Sequence, residues 1–218
     1  MNIKELFRDH MNEYCSIKGK LLSASGDRII KTILVTSCYP YEGKTTASLC
    51  IAQALSEEID YKVLLIDGNF RSPALHTYFN IKKAPGFSDL FLTASDKREK
   101  PITFSPINDN SLIVMPNGSE LTNPLKVLSS EAYGKELKAL GNKFNYVIID
   151  GTSIFGFSDI LVSAKHFDGI VLVVEFRKTR WEVLQEAKDK LTRVGGKILG
   201  VVLNKRIYYI PKAIYEKV

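Results

Sequence analysis

The sequence is poor in the residues that build metal centres, disulfide scaffolds and membrane spans. Its 218 residues hold three cysteines, Cys15, Cys38 and Cys50. The number is odd and no pair has metal-ligand spacing, which reads as a reduced, cytosolic protein. The histidines, His10, His76 and His166, stand apart from one another and from any nucleophile. They form no triad or zinc pattern and read as structural or surface groups. The longest apolar runs, GIVLVVEF and ILGVVLN, have the length of buried strands and cannot span a bilayer. The N-terminus, MNIKELFRDH, carries acids and lacks an apolar core, so it does not read as a signal peptide. There are no internal repeats and no low-complexity segments. No Gly-x-Gly-x-x-Gly follows a strand, so a dinucleotide site has no support.

What is present is an ordinary apolar and charged content with a net charge of +6. That length suits one α/β domain over residues 1–218. The positive charge favours an acidic partner such as nucleotide phosphates, nucleic acid or an anionic membrane surface, or is simply a basic surface. Short apolar runs at 31–37, 62–67, 111–115, 146–150, 169–175 and 198–204 predict strands, most of them apolar on consecutive positions as strands covered on both faces are. Helical patterns lie between them: Thr45 to Ile59, two helices within Pro124 to Leu140, and Trp181 to Val194 ending at Gly195-Gly196. The alternation predicts a mostly parallel β-sheet with helices on both faces, whose ligands bind beyond the carboxyl ends of the strands. Residues 1–20 predict an amphipathic helix with Ile3, Phe7, Met11 and Tyr14 in one stripe, packed on its own domain or on another subunit.

The chemistry concentrates in Ser37 to Ser48, SCYPYEGKTTAS. A strand precedes it and a helix follows, the context in which Gly43-Lys44-Thr45 reads as a phosphate loop. Backbone N–H groups at a helix start face a bound anion, and the helix dipole favours negative charge there. Lys44 is placed to reach the β- and γ-phosphates, the Thr45 hydroxyl to ligate Mg²⁺, and Thr46 with nearby amides to serve the α-phosphate. Gly43 lets the backbone come close. Asp67, closing VLLID, and Asp150, closing YVIID, are strand-end carboxylates of the kind that hold Mg²⁺ through water and orient the reacting group.

The chain resembles the cytoplasmic ATPase domain of bacterial tyrosine kinases, regulators of capsule and exopolysaccharide export in the ParA/MinD-like branch of P-loop NTPases. The resemblance rests on Thr36-Ser37-Cys38-Tyr39-Pro40-Tyr41-Glu42-Gly43-Lys44-Thr45, on Asp67-Gly68-Asn69-Phe70-Arg71-Ser72-Pro73, and on Asp150-Gly151-Thr152-Ser153. The spacing of LHTYFNIKKAPGFSDLFL and LIVMPNGSELTNPLKVLSSE adds to it, as does GVVLNK, whose Asn204 matches an adenine-contacting position. It implies ATP and Mg²⁺ as cofactors, and catalytic roles for Lys44, Asp67 and Asp150. Nucleotide contacts fall to Tyr41, Glu42, Gly43, Lys44, Thr45, Thr46 and Asn204, and metal contacts to Thr45, Asp67 and Asp150. It also implies Tyr208, Tyr209 and Tyr215 of the tail 206–218 as phosphoacceptors, a homo-oligomer, and a separate membrane-spanning co-polymerase that holds the cytoplasmic chain at the inner face of the membrane. No specific nucleic acid is expected.

Several positions depart from the family pattern. Tyr41 replaces a loop glycine, and would be strained at positive φ or could stack over the nucleotide. Asn69 replaces a carboxylate and cannot act as a base. The prolines after Asp150 are Thr152 and Ser153, and the N-terminal subunit motif keeps only Glu5 and Arg8, with Met11 in its last position. These departures suit an alternative in which the chain binds nucleotide and partners without transferring phosphate. A third reading is a positioning ATPase that cycles on DNA or membrane, to which Arg177, Lys178, Arg180, Lys205 and Arg206 would contribute charge; the tail, with Ile210, Ile214 and Val218 at helical spacing and Lys212 and Lys217 beside them, would be a short, weakly binding amphipathic membrane contact.

Overall fold

The computed structural model describes residues 14–20, 23, 29–92, 104–107 and 111–206. Its strands are β1 (Thr32–Ser37), β2 (Val63–Asp67), β3 (Ser105–Ile107), β4 (Leu112–Met115), β5 (Tyr146–Ser153), β6 (Gly169–Glu175) and β7 (Ile198–Asn204). They form one sheet in the order β3-β4-β2-β5-β1-β6-β7, parallel throughout except for β3, which pairs antiparallel with β4. This is the predicted mostly parallel sheet. Two details differ from the sequence reading. The edge strand β3 is three residues long and contains Pro106, too short to give a period. Strand β5 runs three residues beyond Asp150, because Thr152 and Ser153 keep backbone N–H groups that prolines would lack, and Ser153 pairs with Ser37.

Helices cover both faces: α1 (Lys44–Ser56), α2 (Leu75–Tyr78), α3 (Pro124–Leu128), α4 (Glu131–Lys143), α5 (Asp159–Ser163) and α6 (Trp181–Arg193). Because successive strand residues point to opposite faces, β1 divides its side chains between two cores. Leu34 joins Leu64, Ile149 and Leu172 beneath Tyr133 and Leu137 of α4 and Leu191 of α6. Ile33 and Val35 join Leu65, Ile148 and Val171 beneath Leu49, Ala52 and Leu55 of α1. Helix α1 is buried all round from Ala47 to Ser56 rather than along one face, since it lies in the middle of its layer. Local signals place the helix ends. Asn123 accepts from the Lys126 N–H (3.2 Å) and Ser130 from the Tyr133 N–H (3.2 Å). Gly195 stops α6 in the left-handed conformation at φ 82°.

Residues 14–20 are helical. Tyr14 is buried in the second core and Lys18 pairs with Glu58 at 2.6 Å, so this stretch packs on its own domain. Ile3, Glu5, Phe7, Arg8 and Met11 lie outside the described residues. No helix among the described residues is long and apolar enough to cross a membrane.

Candidate active site

The strand order brings the sequence-singled residues to one end of the sheet. Strand β1, which feeds the phosphate loop, lies between β5 and β6, and β2 pairs with β5 in a register that sets Asp67 directly beside Asp150. The loop turns at Gly43 (φ 93°), and no side chain caps the start of α1. The first intrahelical bond is the Ala47 N–H to the Gly43 carbonyl (2.9 Å), so the amides before it are left for a ligand. A Cβ at Gly43 would run into the side-chain amide of Asn204.

Thr45 Oγ1 donates to Asp150 Oδ2 at 2.7 Å. The other oxygen, Asp150 Oδ1, is buried without a hydrogen-bond partner among the described residues. Burial drives the Asp150 carboxyl up to about 7 and the adjacent Asp67 charge adds to this, against the pull of Lys44 and of the Thr45 and Ser48 hydroxyls. Asp67 is differently placed. Its Oδ2 accepts from the Ala74 and Leu75 amides, both at 2.9 Å, and its Oδ1 from the Asn69 amide at 3.3 Å. Burial raises it to about 6, with those amides and Lys44 opposing. Lys44 thus acts electrostatically on both carboxylates. A hydroxyl and two carboxylates, one of them with an orphaned buried oxygen, form a hard-oxygen donor set that fits Mg²⁺.

The rim of the site is tied together over long sequence separations. The Glu42 carboxylate points inward rather than along the loop. It accepts from the Tyr39 N–H (2.9 Å) and from the Thr179 hydroxyl, and the Glu42 carbonyl accepts from Asn204 Nδ2 (2.9 Å). Tyr41 adopts φ 66° and is 88% exposed, with its carbonyl accepting from Lys205 Nζ (2.8 Å). Arg177 and Lys205 also have positive φ, so three strained non-glycine residues border this site. The basic cluster is partly neutralised: Lys178 and Lys205 both pair with Glu175, at 3.2 and 3.0 Å, and Arg177 lies over the Phe176 ring.

Asn69 folds back on its own turn. Its Oδ1 accepts from the Arg71 and Ser72 amides and its Nδ2 donates to the Ser72 carbonyl. Arg71 leaves that turn to clamp Asp159 with two bonds of 3.0 and 3.1 Å. Sequence reasoning missed Thr179 and Asp159. Thr179 carries no motif, whereas Arg71 within the second motif was the available signal for its partner. Tyr208, Tyr209 and Tyr215 lie outside the described residues.

No family model matches the chain. It is 32% identical to the tyrosine-protein kinase CpsD of Streptococcus pneumoniae serotype 4, over 88% of this chain and 83% of that one. It is 31% identical to the tyrosine-protein kinase YwqD of Bacillus subtilis, over 88% and 79%. The solved kinase domain of VpsO superposes with a TM-score of 0.78 at 30% identity, covering 95% of this chain and all of that domain. With the phosphate loop and paired strand-end carboxylates in one place, these likenesses identify the chain as a member of the bacterial tyrosine-protein kinase family.

Proposed function

We propose that the chain is an ATP-dependent protein-tyrosine kinase of surface polysaccharide production. The observation that carries the reading is the open end of the phosphate loop: an uncapped helix start beside a Thr45–Asp150 pair whose second carboxylate oxygen is buried with no partner among the described residues. Catalysis here is positioning and charge neutralisation. The amides from Gly43 to Thr46 cradle the phosphates and Lys44 holds the γ-phosphate. Thr45, Asp67 and Asp150 would hold Mg²⁺, which would supply positive charge to offset that of the phosphates. The acceptor tyrosine oxygen forms the new bond to the γ-phosphorus, the bond to the β–γ bridging oxygen breaks, and ADP leaves. Asp67 takes the phenolic proton. Tyr41 and Asn204 border the nucleoside end, and Glu42 fixes the loop from behind. Acceptors are Tyr208, Tyr209 and Tyr215 of a neighbouring subunit, which requires a homo-oligomer. The chain works in the cytoplasm, held at the inner membrane face by a separate membrane-spanning co-polymerase, with no specific nucleic acid as partner.

The test is incubation with Mg²⁺ and γ-labelled ATP, with and without the candidate membrane partner. Label on the chain that is lost when the three tail tyrosines become Phe supports the kinase. Label in free phosphate alone supports a positioning ATPase. A second reading, a nucleotide-binding regulator without phosphotransfer, is favoured by Asn69, whose side chain is spent within its own turn. Label that stays in ATP in both conditions selects it.

A further inference from the structure

The opposite end of the sheet carries a second concentration of charge. Near the amino ends of β1, β6 and β7 lies a cavity of about 430 Å³. Its lining includes Lys135 and Lys138 of α4, Lys165 and His166 of the short turn Ala164–His166, and Asp168 and Lys197. None of the four lysines makes an ion pair with a described residue. The two carboxylates in the lining offset only half of that charge, which leaves the concavity positive. Asp168 Oδ2 is committed to the start of β1, accepting from the Lys31 N–H (3.0 Å), the Thr32 N–H (2.9 Å) and the Thr32 hydroxyl (2.9 Å). Glu131 sits in the first turn of α4, where the helix dipole already holds it.

His166 is set firmly into this wall. A Cβ at Gly134 would come within 2.5 Å of its Nδ1, and its ring meets Tyr133 edge-on at 5.9 Å. Its Nε2 is shielded from solvent and has no hydrogen-bond partner among the described residues. Burial, Lys165 and Lys138 together hold its pKa below the usual histidine value. Like charges gathered around one concavity repel one another, and a bound polyanion removes that repulsion. Ammonium groups are compact point charges suited to phosphate oxygens. The volume falls in the range of about 300–1,000 Å³ typical of small-molecule sites, and a concavity admits a molecule where a flat bilayer surface would rest on the rim.

We propose that this cavity binds a small soluble molecule carrying two or more phosphate groups, gripped by Lys135, Lys138, Lys165 and Lys197 with His166 at its wall, at a site separate from the phosphate loop. Pyrophosphate is the probe and the ring C–H resonances of His166 are the readout, assigned with His166→Gln among only three histidines. The expected result is a saturable shift at pH 7, an upward move of the His166 titration in bound protein, and the same response in Lys44→Ala. The double variant Lys138→Ala/Lys165→Ala should weaken the response about tenfold or more while its thermal midpoint stays near that of the parent. Removing those lysines should also raise the His166 titration without ligand. No saturable shift up to about 10 mM pyrophosphate, or a shift that survives the double variant, overturns the proposal. Lysine-dependent co-sedimentation with phosphatidylglycerol vesicles in the absence of pyrophosphate binding overturns it too, because the phosphates would then belong to a lipid surface.

Discussion

Two turns in this chain begin alike, Ile66-Asp67-Gly68 and Ile149-Asp150-Gly151, and their aspartates are register partners in adjacent strands. The first turn is closed on itself. Asp67 takes three backbone amides and Asn69 is consumed by Arg71 and Ser72. The second is left open: Asp150 faces the uncapped phosphate loop, accepts the Thr45 hydroxyl, and keeps one buried oxygen without a partner among the described residues. Native proteins satisfy buried polar groups almost everywhere, so under the proposed function the unfinished turn is where a ligand would complete the structure. The self-satisfied one fixes the Asp67 carboxylate on three amides, in the place from which the proposed function has it act.

The largest expected effect tests the open side. Asp150→Asn and Lys44→Ala should each lower label transfer from ATP by about a hundredfold or more, because Lys44→Ala removes a cation from the transferring phosphate and Asp150→Asn removes a carboxylate that would hold Mg²⁺ there. Transfer near the parent level in Asp150→Asn would break the comparison. The next effect is on stability without nucleotide. Both aspartates are raised on folding, from 3.8 to about 7 for Asp150 and to about 6 for Asp67. The folded state therefore binds their protons more tightly than the unfolded state. Their contribution is full below about pH 4 and is lost as pH climbs through 6 to 7. Urea unfolding of the nucleotide-free protein should lose about 2–4 kcal/mol between pH 5 and pH 8. Asp150→Asn should remove the larger part of that slope and be the more stable protein at pH 8.

The closed side gives a smaller effect. Asp67→Ala strands the Ala74 and Leu75 amides, which offsets what is gained at pH 8 by removing its own buried charge, so its urea midpoint at pH 8 should stay below that of Asp150→Asn. Equal stabilities of Asp67→Ala and Asp150→Asn would mean the two turns are not different after all. That difference was beyond the sequence. Apolar runs, Gly43-Lys44-Thr45 and the two strand-end aspartates were legible because they are local: period, loop chemistry and position at a strand end all lie within a few residues. Which oxygen is spent depends on Ala74, Leu75 and Thr45, brought there by sheet order. The inward turn of Glu42 is less accessible still, since Thr179 and Asn204 stand 137 and 162 residues away along the chain. The run-on of β5 past Asp150 shows how a departure from the family pattern becomes structure, because Thr152 and Ser153 simply continue the strand.

Tyr41 gives the smallest effect and the sharpest test of openness. It occupies the left-handed region at φ 66° with its side chain 88% exposed, so no packing in the described residues offsets the conformational cost of about 1–2 kcal/mol. Tyr41→Asn keeps a side chain that tolerates this backbone and should stabilise the nucleotide-free protein by about 0.5–1 kcal/mol. Tyr41→Gly should gain less, because added freedom of the unfolded chain cancels part of the relief. If the ring serves the open site by covering the nucleotide, both variants should bind ATP several-fold more weakly although they fold more stably, in line with stacking energies of about 1 kcal/mol. Titration calorimetry beside thermal unfolding separates the cases. A gain in stability with unchanged affinity would make Tyr41 a strained bystander, and the opening would then be defined by Asp150 and the bare start of α1 alone.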